Sequence, residues 1–285
     1  MKVLNGKELA GYIKERQARE VRALRQAWRI APKLAIVVTV DHPTINVYMR
    51  MKKVYGADIL IDVDVHQVQQ AEAPALIKKL NSDPGVHGII VQLPLEDPTE
   101  TDKIVNLVAP EKDVDALGQA ADFEPATPTA ILWLLAGYNV DLQGKKVLLI
   151  GRGKLVGAPL ERMLEESGVD VSVADRSTAD LAAATREADV IITATGSPAI
   201  LYPDMIKAKA VVVDAGVAGE EGKTVGDLAP EVYERDDLTL TPTKGGVGPL
   251  TVCALFDNVI RAARRVAENQ SNELQTARTD GTIGV

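Results

Sequence analysis

The chain has 285 residues, 46% of them hydrophobic and 25% charged, with a formal net charge of −8. That length exceeds one average domain and the apolar content can fill a sizeable core, so one large or two modest globular domains are expected. The negative balance argues against nucleic acid or an anionic membrane as partner, and an anionic ligand requires a local basic pocket. Aromatics make up only 4%, so the core must be Val, Ile, Leu and Ala, which suits parallel sheets buried on both faces.

In chain order, residues 7–28 show helical periodicity and Lys33–Val40 reads as a buried strand. A turn at Asp41-His42-Pro43 follows, with Thr44 placed to cap a helix that carries Tyr48 and Lys52. Ile59–Val65 alternates as a strand, 72–81 is helical, and Gly88–Leu93 is a buried strand ended by Pro94. This β-α-β-α-β order implies a first parallel α/β unit. Residues 118–128 read as a loop punctuated by Pro125 and Pro128, before a helix at 129–137. A second α/β unit then runs through strands at 145–150, 169–174, 188–194 and 210–214, with helices at 158–167 and 178–187 between them. An amphipathic helix over 250–266 closes the fold, and the polar tail from Glu268 is expected to be loosely held.

The single cysteine, Cys253, forms no internal disulfide, fits a reducing cytoplasm, and sits in the apolar run Val252–Phe256 as core packing. Met1–Gly6 carries no apolar signal region, and no run approaches the roughly eighteen apolar residues of a membrane span. Neither secretion nor a membrane partner is expected. His42, His66 and His87 lack ligand spacing, so no metal is assigned.

Two regions carry chemistry. A strand runs into Gly151-Arg152-Gly153-Lys154-Leu155-Val156-Gly157 and then a helix. In that context glycines let the backbone approach a pyrophosphate, and the helix N-terminus offers free N–H groups. Gly151, Gly153 and Gly157 are therefore assigned to a dinucleotide. The end of the next strand, Ala174-Asp175-Arg176-Ser177-Thr178, sets selectivity. An acid there favours the ribose hydroxyls of NAD, whereas an arginine accommodates the 2′-phosphate of NADP. Both are present: Arg152 and Arg176, with Ser177 and Thr178, tilt the reading to NADP, and Asp175 keeps NAD open.

The second region starts with Tyr48 and Lys52, four apart and so on one helix face. A lysine beside apolar walls has its ammonium pKa lowered by desolvation and can move protons near neutrality. Gln92 ends a buried strand, where ligand crevices of α/β sheets open, and Asp115 closes Lys112-Asp113-Val114-Asp115. Singly, each reads as a surface charge or cap. Together a lysine, an amide and a carboxylate beside a dinucleotide domain suggest proton transfer next to a hydride acceptor. The run Thr241–Val252, with Gly245, Gly246, Gly248 and Pro249, shapes a loop that lies close against a ligand.

Taken in order, these motifs closely resemble the bifunctional methylenetetrahydrofolate dehydrogenase/methenyltetrahydrofolate cyclohydrolase family, from Leu4 to about Arg265. Tyr48-Met49-Arg50-Met51-Lys52, Val91-Gln92-Leu93-Pro94-Leu95, Lys112–Asp115, Pro125-Ala126-Thr127-Pro128 and Gly245–Thr251 carry the resemblance. It implies oxidation of 5,10-methylenetetrahydrofolate with NADP and hydrolysis of the methenyl product to 10-formyltetrahydrofolate. Its implied roles are proton transfer for Lys52, a hydrogen bond to it for Gln92, a stacking wall for Tyr48 and pterin binding for Asp115. Gly248 and Pro249 join the substrate side and Thr127 the cofactor side. The implied architecture is an N-terminal α/β folate-binding domain, 1–120 completed by 250–285, and a Rossmann-like domain at 121–249, with a cleft between them. A cytoplasmic homodimer with tetrahydrofolate derivatives as ligands is expected.

The chain departs from the family pattern at Ile45 for serine, Val54 for lysine, Ala116 for the glycine after Asp115, Ala130 for glycine and Lys244 for proline. Its segment from Asp115 to Thr127 is also short. The shortened segment and Asp175 suggest a competing reading, a dehydrogenase with weak or lost cyclohydrolase activity and NAD preference. A non-catalytic nucleotide-binding relic has no physical reason to keep Lys52, Gln92 and Asp115. A shikimate-dehydrogenase-like enzyme shares the architecture, but the 241–252 loop and the Gln92 segment do not suit it.

Overall fold

The computed structural model describes residues 2–216, 218–220 and 223–279. In chain order the elements are β1 (Lys2–Val3), α1 (Gly6–Ala27), β2 (Lys33–Val38), α2 (Pro43–Asp58), β3 (Asp62–Gln67), α3 (Ala73–Ser82), β4 (Gly88–Gln92) and α4 (Thr101–Val105). There follow α5 (Ala126–Gly137), β5 (Val147–Ile150), α6 (Gly157–Glu166), β6 (Val171–Ala174), α7 (Leu181–Glu187), β7 (Val190–Thr193) and β8 (Val211–Asp214). A short antiparallel pair, β9 (Ala218–Glu220) and β10 (Lys223–Val225), precedes β11 (Thr239–Leu240) and α8 (Val247–Thr279).

The chain forms two compact units, one of residues 1–12 with 125–254, the other of 13–124 with 255–285. The second holds a parallel three-stranded sheet in the order β3-β2-β4. Burial on β2 and β4 is nearly continuous, as a strand covered on both faces requires. Ala35, Val37, Ile77, Ile89, Val91 and Ile104 pack one of its cores. Tyr55 and Phe256 lie with ring centroids 5.0 Å apart, a pairing that contributes about 0.5–1.5 kcal/mol beyond its buried area.

The first unit holds an all-parallel six-stranded sheet in the order β1-β11-β8-β7-β5-β6. From β5 the chain moves outward to β6, then returns to place β7 on the other side of β5. That reversal is the switch point at which open α/β sheets take their ligands, beyond the C-terminal ends of the strands.

Several local expectations shift. The side chain that caps α2 is His42, whose Nδ1 accepts the Thr44 N–H at 3.3 Å, with Pro43 in the first turn. Thr44 itself is inside the helix. β3 starts three residues later than the alternation suggests, because the N–H groups of Ile59 and Ile61 close the end of α2 onto Gly56. Leu60 turns there with φ +65°. Helix α8 runs to Thr279, through the polar segment expected to be loose. Residues 280–285 lie outside the described residues. Residues 1–12 group with the larger sheet, because Lys2 and Val3 pair with Thr239 and Leu240, a strand too short to show in sequence periodicity.

Candidate active site

Helix α2 buries Ile45, Met49 and Gly56. At the edge of the same face lie Tyr48, 44% exposed, and, one turn on, the half-buried Lys52. Ile45, a departure from the family pattern, therefore serves the core, whereas Val54 is exposed. Lys52 Nζ donates to Gln92 Oε1 at 2.9 Å, and Gln92 Nε2 donates to the carbonyl of Leu93 at 2.8 Å. That second bond fixes which end of the amide faces the lysine.

Asp115 reaches the same place through a stub of sheet. Asp113 forms a parallel bridge with Ile89 of β4, so the two-residue step to Asp115 moves toward the end of β4 that carries Gln92. The other residues of the Lys-Asp-Val-Asp run act as scaffold. Lys112 Nζ donates to the carbonyls of Leu80, Asn81 and Asp83 at 3.2, 2.9 and 2.7 Å. It thereby satisfies open acceptors at the end of α3. The buried Asp113 carboxylate accepts the Gly118 N–H at 2.7 Å and shapes the following turn. Asn258 Nδ2 donates to the carbonyls of Val114 and Glu124 at 2.9 and 3.0 Å and holds the segment from the other side.

Electrostatics suit proton transfer. Burial pushes the Lys52 ammonium below the usual lysine range, partly opposed by the carboxylate of Asp115. Burial pushes the Asp115 carboxyl up, partly opposed by Lys52. A lysine lowered in this way has a larger neutral fraction near pH 7 and can accept a proton there.

The glycine turn lies in the other unit. Gly151 adopts φ +99°, and a side chain on Gly157 would overlap the Gly151 carbonyl oxygen. Only glycine permits this close turn; at the start of α6 the Ala158 N–H donates to the Gly153 carbonyl at 3.0 Å, and Pro159 has no N–H to offer. Arg152 donates from Nε to Glu161 at 2.6 Å, and Arg176 is exposed beyond β6. Asp175 Oδ1 accepts both the N–H and the hydroxyl of Ser177, at 2.8 and 2.6 Å. Thr178 Oγ1 accepts the Asp175 N–H at 2.9 Å. Ser177 and Thr178, assigned to a ligand by sequence, thus also build the turn itself. Gly153 has open space around it.

The 241–252 run makes its close approach to its own chain. The Lys7 N–H donates to the Gly245 carbonyl at 2.9 Å, and a side chain on Gly6 would overlap the Gly246 carbonyl. Gly248 is exposed at the start of α8 and Pro249 is half-buried. Thr251 Oγ1 lies 3.4 Å from Thr127 Oγ1, which brings the Pro-Ala-Thr-Pro and Gly-Pro motifs together. Cys253 is fully buried, its sulfur 3.8 Å from the Ala10 carbonyl. Sequence reasoning passed over Asp214 and Asp227, a half-buried acid that ends β8 and a buried one that follows β10. Their signal is an acid at a strand end and a Gly-Asp pair.

A parallel sheet with a glycine turn at its switch point, and a separate α/β unit bearing a lysine–amide–carboxylate group, define a two-domain nucleotide-dependent α/β enzyme. The tetrahydrofolate dehydrogenase/cyclohydrolase family model matches as its catalytic domain over residues 4–115 and as its NAD(P)-binding domain over 125–267. The chain belongs to this family. It is 36% identical to the bifunctional protein FolD of Exiguobacterium sibiricum, over 92% of this chain and 99% of that protein. The crystal structure of the bifunctional methylenetetrahydrofolate dehydrogenase/cyclohydrolase of Campylobacter jejuni matches with TM-score 0.88 and 36% identity, covering 93% of this chain and 99% of that one. The Trypanosoma brucei enzyme, solved with NADP and an inhibitor, matches with TM-score 0.86 and 27% identity, covering 93% and 97%.

Proposed function

We propose that the chain oxidises 5,10-methylenetetrahydrofolate to the 5,10-methenyl form with NADP and hydrolyses that product to 10-formyltetrahydrofolate. Family membership and relatives named as bifunctional support both activities. The observation that carries the hydrolytic half is Lys52, lowered in pKa by burial and held by Gln92 at 2.9 Å. Water adds to the electrophilic methenyl carbon; neutral Lys52 takes its proton, and the ring opens as a proton returns to the departing nitrogen. Gln92 aims the lysine, the exposed ring of Tyr48 stacks on the folate, and Asp115 binds the pterin.

NADP, when bound, accepts the hydride. The glycine turn of the NAD(P)-binding domain is assigned to the pyrophosphate, and Arg152 and Arg176 supply charge for a 2′-phosphate. Ser177 engages one oxygen of Asp175 and Glu161 engages Arg152, so the preference for NADP over NAD rests mainly on Arg176. The hydride step itself asks mainly for alignment of two bound ligands, so positioning supplies much of its rate. We assign the folate to the unit containing 13–124 and the dinucleotide to the unit containing 125–254, and expect a cytoplasmic homodimer; light scattering that shows a stable monomer contradicts the last. The test of function is the purified protein with methylenetetrahydrofolate and either NADP or NAD, followed by methenyl absorbance. Turnover with NADP ahead of NAD is expected. Absence of methenyl formation sinks the proposal, and better turnover with NAD returns Asp175 to the ribose hydroxyls.

A further inference from the structure

Two acids at the crevice end of the larger sheet take no part in the chemistry above. Asp227 is 0% exposed, and its two oxygens accept the N–H groups of Thr195 and Ser197 at 2.8 and 3.0 Å. Asp214, the last residue of β8, accepts the N–H groups of Gly216, Asp227 and Leu228 at 2.9, 3.1 and 3.3 Å. It also accepts the hydroxyls of Thr193 and Tyr233 at 3.3 and 3.4 Å. The packing is close: a side chain on Gly216 would overlap the Asp227 carboxylate, and one on Gly226 would overlap that of Asp214.

Desolvating two neighbouring carboxylates is costly, and apolar side chains of similar volume would fill the space at lower cost. What the acids add is geometry. Every donor named above is a backbone amide or a hydroxyl, and the amides belong to the connections that follow β7, β8 and β10. The switch point of the sheet lies between β5 and β7. Its crevice is therefore bounded by the glycine turn after β5 and the Thr195–Ser197 loop after β7. These two touch: a Cβ on Gly151 would stand 2.8 Å from the Ala194 oxygen and 3.0 Å from Thr195 Cγ2.

We propose that Asp227, held in turn by Asp214, is a positioning residue for the dinucleotide, fixing the Thr195–Ser197 loop as the second wall of the crevice beside the glycine turn. This rests on the dehydrogenase reading and deepens it. The carboxylate does not touch the reacting atoms; by taking the Thr195 and Ser197 N–H groups it sets where the side chains of those two residues meet the cofactor.

The test uses the full-length protein as wild type, Asp227→Asn, Asp227→Ala and Asp214→Asn. Leu238→Ala, a core change in the same unit, serves as a control for destabilisation. NADP affinity is measured by calorimetry, beside Tm, kcat and both KM values. Asp227→Asn keeps the shape but turns an N–H toward a backbone amide. It should weaken NADP binding and raise KM for NADP about tenfold, from the loss of one charge-assisted hydrogen bond. KM for methylenetetrahydrofolate should stay within about twofold of wild type. Asp227→Ala should weaken NADP binding further, Asp214→Asn should weaken it in the same direction, and Leu238→Ala should lower Tm with NADP affinity unchanged. A folded Asp227→Asn with wild-type NADP affinity, or an equal rise in both KM values, overturns the proposal. So does failure of both Asp227 variants to fold, which makes the carboxylate a plain structural element. A wild-type protein that does not bind NADP is a different result, and removes the dehydrogenase reading with it.

Discussion

Ala116 is held at φ +54°, next to the carboxylate assigned to the pterin. A left-handed conformation costs an L-residue roughly 1–2 kcal/mol, and glycine avoids it at a smaller entropic cost of about 0.5–1 kcal/mol. Ala116→Gly should therefore raise unfolding free energy by about 0.5–1 kcal/mol, read by urea titration. A loss of stability would show that the turn is not strained. Arg176, exposed beyond β6, carries a second residue-scale prediction. Arg176→Ala should raise KM for NADP by about tenfold or more while KM for NAD moves little, because only NADP presents a 2′-phosphate. Equal effects on both cofactors would take Arg176 out of phosphate recognition. The residue roles were the least legible part of the sequence. Spacing put Tyr48 and Lys52 on one face, but nothing in it showed that Lys112 caps α3 or that Ser177 is bonded to Asp175. Those are long-range or turn-internal hydrogen bonds, and periodicity does not encode them.

At the scale of elements, Gly6 opens α1 against the 245–246 carbonyls. Gly6→Ala drives a methyl group into backbone, so it should cost about 1–3 kcal/mol by overpacking and show as a lowered urea midpoint. An unchanged midpoint would mean that the loop shifts freely. Arg235 ties another connection: it donates from Nη1 to the carbonyls of Pro203 and Ile206 at 2.8 and 2.6 Å, and from Nε and Nη2 to Asp237 at 2.9 and 2.6 Å. The pair holds the Asp237 carboxyl at about 2, below its ordinary 3.8. A depressed folded-state value means that the unfolded chain binds the proton more readily. The contribution is thus complete above about pH 4–5 and fades as pH falls from 3.8 toward about 2. The stability difference between wild type and Asp237→Asn should shrink across that interval; a constant difference would place the effect outside ionisation. Elements with strong patterns, such as the buried runs of β2, β4, β5 and β7, were readable, since a strand covered on both faces is uniformly apolar. β1, β11 and the β9–β10 pair were not, being two or three residues long.

For the whole molecule, the parallel α/β class and the motif order were legible because each motif sits where a strand ends and a helix begins. The division of the chain was less so: residues 1–12 join the sheet of the dinucleotide-binding unit through β1, a pairing across more than two hundred positions that only the folded chain displays. The central claim is that one folate-binding unit performs the hydrolysis through Lys52, whereas hydride removal depends on the dinucleotide held by the other. The two activities should separate under one substitution. Lys52→Met keeps the bulk of the side chain and removes the base, whose loss typically costs about a hundred- to ten-thousand-fold. The direct measurement is methenyltetrahydrofolate hydrolysis by purified Lys52→Met protein, beside its NADP-dependent oxidation of methylenetetrahydrofolate. Hydrolysis should fall by at least about a hundredfold while oxidation persists, with methenyl product accumulating and a near-native Tm. Hydrolysis at the wild-type rate in a folded Lys52→Met protein would place the base elsewhere and contradict the account.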